Sequence, residues 1–152
     1  MEPLEQMIEF LQKEWGDSLI SVVLFGSHAR GNPRQESDID LQIIRKDFPR
    51  GRLERRKGWL QLEKKMPLPE DWKEKIAPIL LTPEEAVQTR PYYLGILTAH
   101  RILFDRNQFY ENILQRLKKR LEKLGSRLEI DEYGDEIWIL KPGSKPGEAI
   151  RL

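Results

Sequence analysis

The segment that most limits the fold of this chain is residues 18–25, SLISVVLF. It is apolar and β-branched with almost no polar alternation, as expected of a strand covered on both faces. Such a strand needs helices above and below it, and the flanking sequence supplies them. Leu4, Met7, Ile8, Leu11 and Trp15 recur at steps of three and four, which predicts an amphipathic helix over about 3–15, ended by Gly16 and Asp17. Phe109, Ile113, Leu117, Leu121 and Leu124 predict a long helix, with Gly125 where a C-cap glycine belongs.

The remaining elements are shorter. Residues 38–45, DIDLQIIR, alternate in character and predict a second strand with two different faces. Leu53, Trp59, Leu60, Leu62 and Met66 predict a helix over about 50–66, weakened at Gly58 by roughly 1 kcal/mol relative to alanine. Residues 66–72, MPLPEDW, are expected to be a connection, and 76–81, IAPILL, a short strand. Thr82 and Pro83 have the N-cap and first-turn chemistry of a helix start. Residues 94–97 look strand-like, 101–104 predict a strand, and 127–130 with 136–140 predict a terminal pair before a turn-rich end. Strands mixed with helices in 152 residues predict an α/β or α+β chain forming one domain, a length too short for two well-filled cores.

Composition removes several classes of function. With 26 Lys and Arg against 25 Asp and Glu, the net charge is +1, so bulk charge does not make this a polyanion binder, and nucleic acid is not the favoured partner. The absence of cysteine excludes disulfides, a thiolate nucleophile and cysteine-ligated metal, and His28 and His100 alone do not make a histidine-rich metal site. The amino-terminal residues are acidic rather than basic and apolar, and no apolar run reaches the roughly 18 residues of a membrane span. A cytoplasmic protein without membrane attachment is the expectation.

The chemistry is concentrated in residues 24–44, LFGSHARGNPRQESDIDLQII. A buried-type strand ends in Gly26 and Ser27, a short helical piece follows, and a loop returns into a strand bearing Asp38 and Asp40. Gly26 has no Cβ to keep backbone away from a ligand, and Ser27 offers a hydroxyl and an N–H at a turn suited to an anion. Asp38 and Asp40, two apart on a strand, would point to one face about 6.7 Å apart along the chain. At an effective dielectric near 20 they would repel by roughly 2.5 kcal/mol, unless a cation lies between them. A hard divalent ion such as Mg²⁺ takes one or two carboxylates plus phosphate oxygens. A phosphate turn joined to a carboxylate pair points to phosphoryl or nucleotidyl transfer.

These residues carry a resemblance. The run from Gly26 through Ser27, Ala29, Arg30 and Gly31 to Ser37, Asp38 and Asp40 resembles the signature of the DNA polymerase β-like nucleotidyltransferase superfamily, in its minimal nucleotidyltransferase branch. Residues 102–106, ILFDR, and 140–148, LKPGSKPGE, are similar to prokaryotic members in a weaker way. The resemblance implies a mixed sheet flanked by helices, followed by a C-terminal helix and a short strand pair, with a motif core over about 1–105 and an extension over about 106–152. It implies that Gly26 and Ser27, with Arg30 and Ser37, bind a nucleoside triphosphate, which is expected to be ATP. Asp38 and Asp40 would be the catalytic carboxylates and the Mg²⁺ ligands, and the nucleoside monophosphate would pass to a hydroxyl acceptor, on a protein for instance. A helical HEPN-type partner in a toxin–antitoxin pair is a further implication. Active members carry a third carboxylate on a following strand; neither 76–81 nor 94–97 contains an acid, and Glu70, Asp71, Glu74, Glu84, Glu85 and Asp105 fall elsewhere. The alternative is therefore a catalytically weak or silent nucleotide-binding module acting through a partner.

Outside the motif, Arg45, Lys46, Arg50, Arg52, Arg55, Arg56 and Lys57 form a basic cluster, read as a solvated helix face in preference to a grip on RNA or an acidic partner. Tyr92 and Tyr93 are expected in core or interface, and Lys141 and Lys145 in a solvated tail. Arg30 has two readings, a triphosphate contact or an ion pair with a carboxylate such as Asp38. His100 has no partner evident from sequence.

Overall fold

The structure, a computed structural model, describes residues 2–34 and 36–152. Helix α1 (Glu2–Trp15) leads through a short 3₁₀ turn into β1 (Leu19–Phe25), α2 (Ser27–Arg30) and β2 (Ile39–Arg45). Then come α3 (Arg52–Glu63), α4 (Glu70–Lys75), β3 (Ile76–Leu81), α5 (Pro83–Ala86) and α6 (Tyr93–Thr98). Strand β4 (Arg101–Asp105), α7 (Phe109–Leu124), β5 (Arg127–Ile130) and β6 (Glu136–Ile139) complete the chain. The class is α/β, as the sequence implied.

The main sheet has four strands in the order β3-β2-β1-β4. Strand β1 is antiparallel to both neighbours, and β3 runs parallel to β2, so the sheet is mixed. The pattern in β1 is explained by its central place: six of its seven residues are buried. On one face Val22, Leu24, Ile39, Leu41 and Ile43 pack with Leu4, Met7 and Leu11 of α1 and with Trp59 of α3. On the other, Ile20, Val23 and Ile44 meet Tyr93, Ile96, Tyr110, Ile113, Leu117 and Leu121. The pleat of β2 therefore puts Ile39, Leu41 and Ile43 on one side and Asp40, Gln42 and Ile44 on the other. Strands β5 and β6 form a separate antiparallel pair. Among the described residues no helix is long and apolar enough to cross a membrane.

Helix α7 is capped from a distance. Asp105, at the end of β4, accepts the Tyr110 N–H at 2.8 Å and the Glu111 N–H at 3.0 Å, and its Oδ1 also accepts the Ser21 hydroxyl at 2.6 Å. Arg106 donates to the carbonyl of Leu19 at 2.8 Å. The acid and base of ILFDR thus tie β4 to β1 and α7.

Several local expectations are corrected. Residues 66–72 are not wholly a connection, because Glu70, Asp71 and Trp72 open α4 after Pro69. Residues 94–97 lie in α6, where Tyr93 and Ile96 take the buried face of a helix, not of a strand. The basic cluster is not one solvated face: Arg55 is 7% exposed and paired with Glu85 at 2.7 Å. The Arg45 guanidinium lies over the rings of Trp15 and Phe48 at 5.0 and 4.8 Å. His100 does have a partner, its Nδ1 lying 2.7 Å from the Ile96 carbonyl oxygen. Each of these depends on a contact made by folding, which local periodicity does not carry.

Candidate active site

Strand β1 ends at Phe25, and Gly26 turns the chain out of the sheet with φ 74° and ψ −156°. That combination belongs almost exclusively to glycine. The reason for glycine is also steric: a Cβ at this position would run into Oδ2 of Asp40 and lie 3.2 Å from its Cγ. Phe25 and Asp40 are cross-strand partners, so the register of β1 on β2 presses the turn against the carboxylate.

Ser27 opens α2. The Ala29 and Arg30 N–H groups both donate to the Gly26 carbonyl at 3.1 Å, and the N–H groups of Ser27 and His28 precede these first helical bonds. Gly31, left-handed at φ 78°, ends the turn. On the return to β2, the Arg34 N–H donates to Oγ of Ser37 at 2.7 Å, and Nε2 of His28 lies 3.4 Å from the Ser37 carbonyl oxygen. Ser37 thus shapes the loop between the turn and the two aspartates.

Asp38 is exposed one residue ahead of β2, and Asp40 is half-buried within it. The Asp40 carboxyl is held above its ordinary pKa, first by burial and then by the negative charge of Asp38, while His28 and Arg30 act against both. Gly26, His28, Arg30, Asp38 and Asp40 are therefore one neighbourhood. Arg30 forms no ion pair among the described residues and contributes to Asp40 through its field.

The residues fit a divalent ion brought by a triphosphate. Two carboxylates are hard oxygen donors of the kind Mg²⁺ combines with phosphate oxygens, and Gly26, having no Cβ, lets the backbone of the turn lie directly against one of them. Among the described residues no group of three His, Cys, Asp or Glu side chains is placed to hold a metal. An ion here would rely on substrate for the rest of its shell. Asp38 and Asp40 would hold it, and it would neutralise phosphate charge.

The parallel register places Ala77 opposite Asp40 and Ile79 opposite Gln42. A carboxylate on β3 facing the pair would have to occupy the position of Ala77, and alanine stands there. Glu85 and Asp105 serve elsewhere as helix caps.

Sequence reasoning passed over Gln42, two residues beyond Asp40 on the same face and fully buried. Its Nε2 donates to the hydroxyl oxygens of Tyr92 at 3.1 Å and Tyr93 at 3.2 Å, and the Tyr93 hydroxyl donates to the Ala86 carbonyl at 2.6 Å. Tyr92 stacks on Phe25 with ring centroids 6.4 Å apart. A lone polar residue inside DLQII was the available signal.

Comparison with known proteins gives the family. Residues 4–131 match the model of the nucleotidyltransferase domain family. The Methanocaldococcus jannaschii protein MJ1305, whose name makes it a candidate protein adenylyltransferase, is 37% identical over 121 residues, covering 76% of this chain and 81% of that one. A toxin–antitoxin crystal structure with AMP-PNP shares the fold at a TM-score of 0.53 and 17% identity, over 82% of this chain and 90% of the other. The spectinomycin adenyltransferase AAD(9) of Enterococcus faecialis, solved with ATP and spectinomycin, shares it at 0.50 and 14%, over 88% and 68%. With most of its length matched by the family model and a relative at 37% identity over most of both chains, this chain belongs to the nucleotidyltransferase domain family.

Proposed function

We propose that this protein transfers a nucleoside monophosphate from ATP, carried with Mg²⁺, to a hydroxyl group of a protein acceptor. The acceptor oxygen bonds to the α-phosphorus, the bond from that phosphorus to its bridging oxygen breaks, and pyrophosphate departs with the electron pair. The hydroxyl proton is released to water. In this reading Gly26 and Ser27 cradle the phosphates, Arg30 and Ser37 flank them, and Asp38 and Asp40 hold the ion, whose charge steadies the phosphate oxygens. The observation that carries the proposal is that Gly26 lies so close to the Asp40 carboxylate that no Cβ fits between them, which sets the turn beside the carboxylate pair. The protein adenylyltransferase name of the relative supports a protein acceptor. The toxin–antitoxin setting of the structural neighbour supports a partner protein, whose kind, a helical HEPN-type chain, is what the motif resemblance implies.

A second reading has one observation in its favour. Ala77 faces Asp40, so no acid of β3 completes the pair, which suits a nucleotide-binding module that acts by occupying a partner. Incubation with α-labelled ATP and Mg²⁺, with and without candidate protein acceptors, separates the two. Label that becomes covalent, and is lost in an Asp38→Ala/Asp40→Ala variant, supports transfer. Saturable binding without transfer to any acceptor supports the module. Binding that needs no metal and is unchanged in the double variant overturns both.

A further inference from the structure

Strand β3 is an edge of the main sheet. Along it runs a cleft of about 450 Å³, walled on one side by Arg52, Arg55 and Arg56 of α3 and on the other by Arg90 and Tyr92. Arg55 is spoken for: it donates to Glu85 at 2.7 Å and to the Leu80 carbonyl at 3.0 Å. Glu85, the acid lining the cleft, is consumed by that pair and by the Thr82 N–H at 2.8 Å. Arg52, Arg56 and Arg90 are exposed and form no ion pair among the described residues; Arg56 lies within the field of Glu63, whose carboxylate already accepts the Trp59 indole N–H at 2.9 Å. In a chain of net charge +1, three exposed guanidinium groups without an ion pair around one cleft are a local anomaly, and guanidinium is the group best shaped to hold an oxyanion.

The cleft adjoins the carboxylate pair. Ile79 lines it and is in register with Gln42, two residues along from Asp40, a step of about 7 Å. Tyr92 joins the two places, with its ring on Phe25 and its hydroxyl oxygen accepting from Gln42. The strand edge itself is poorly suited to adding another strand. The Leu80 carbonyl faces outward to Arg55, and Pro78, of the same parity, has no N–H to give. Recognition along this edge must therefore come from side-chain charge. Tyr92 is the aromatic residue exposed there, and it is already stacked, so the cleft lacks the series of free rings on which nucleic-acid bases stack.

We propose that this cleft docks the acceptor, a protein segment carrying acidic side chains two to three residues from the hydroxyl that is modified. The inference rests on the transfer reading above and adds the class of acceptor. The test uses the full chain and a fluorescein-labelled peptide with one tyrosine followed at the second and third positions by glutamate. A glutamine version of that peptide and a labelled oligouridylate serve as comparisons, all read by fluorescence anisotropy at low salt. The glutamate peptide should bind about tenfold more tightly than the glutamine one, and an Arg52→Gln/Arg56→Gln/Arg90→Gln variant should lose that difference. Arg90→Glu alone, remote in sequence from α3, should weaken the glutamate peptide in the same direction, with melting curves confirming that both variants fold. The Asp38→Ala/Asp40→Ala variant should bind the peptide normally while transferring no label to it. Equal affinity for the two peptides, or no effect of the arginine substitutions, overturns the proposal. So does tighter, arginine-dependent binding of the oligouridylate, which would assign the cleft to nucleic acid. Peptide binding that behaves as expected, with no label transferred by the unaltered protein to the peptide or to any candidate protein acceptor, supports the docking cleft and refutes the transfer reading.

Discussion

Replacing Gly26 by alanine tests the link between the turn and the carboxylates. Two costs add. Holding an L residue at φ 74°, ψ −156° costs about 1–3 kcal/mol. The new Cβ would also displace the Asp40 carboxylate, and an off-rotamer side chain costs roughly 1 kcal/mol more. The sum, roughly 2–4 kcal/mol, corresponds to a fall of about 5–15 °C in melting temperature for a chain of this size. The assay is a double-mutant cycle by urea or thermal unfolding with Gly26→Ala, Asp40→Ala and the combination. Removing the Asp40 side chain should recover about 1 kcal/mol in the Gly26→Ala background beyond its effect alone, because only the steric part involves Asp40. A total loss below about 0.5 kcal/mol, or strict additivity of the two substitutions, would refute the close contact and with it the joining of phosphate turn and carboxylates.

Asp40→Asn should stabilise the metal-free protein while abolishing Mg²⁺-dependent ATP binding. Its raised carboxyl pKa means the folded state holds this proton to higher pH than the unfolded chain, so stability falls as pH rises through that window, and the cost persists above it. The variant should therefore melt higher than the unaltered protein near neutral pH, and the difference should vanish at acid pH, measured in the presence of a chelator. Glu85 has the opposite sign: burial raises its pKa, but the hydrogen bonds from Thr82 and Arg55 outweigh this and leave it lowered. Its stabilisation is present above the unfolded-state pKa and lost as pH falls through the folded one, and Glu85→Gln should remove that part of the acid dependence of unfolding. Asp105→Ala should cost roughly 2–3 kcal/mol, since it strips two N–H groups of α7 and the Ser21 hydroxyl of their acceptor, and equilibrium unfolding measures it directly. Nucleotide affinity at saturating Mg²⁺ should be unchanged in that variant under folding conditions.

Much of the scaffold was legible in the chain because it depends on neighbours in sequence. The apolar run of β1, the stripe of α7 with its stop at Gly125, and the helix start at Thr82 and Pro83 follow from short-range sterics and hydrogen bonding. The turn and carboxylate motif was legible for a related reason, since Gly26, Ser27, Asp38 and Asp40 all fall within one stretch of 15 residues.

What the chain could not disclose are the contacts made across the sheet. Register alone sets Asp40 against Phe25 on one side and Ala77 on the other, and a slip of one residue would turn Asp40 to the opposite face. The basic run around residues 45–57 looks uniform in sequence. Folding buries Arg55 against Glu85, lays Arg45 over two rings, and leaves Arg52 and Arg56 facing Arg90 from a distant segment. Local order was therefore decided by the sequence itself, through backbone preference and periodic burial. The partners of each charge were decided only by tertiary structure, because a Coulomb interaction depends on distance in space, and strand pairing brings together residues that are tens of positions apart.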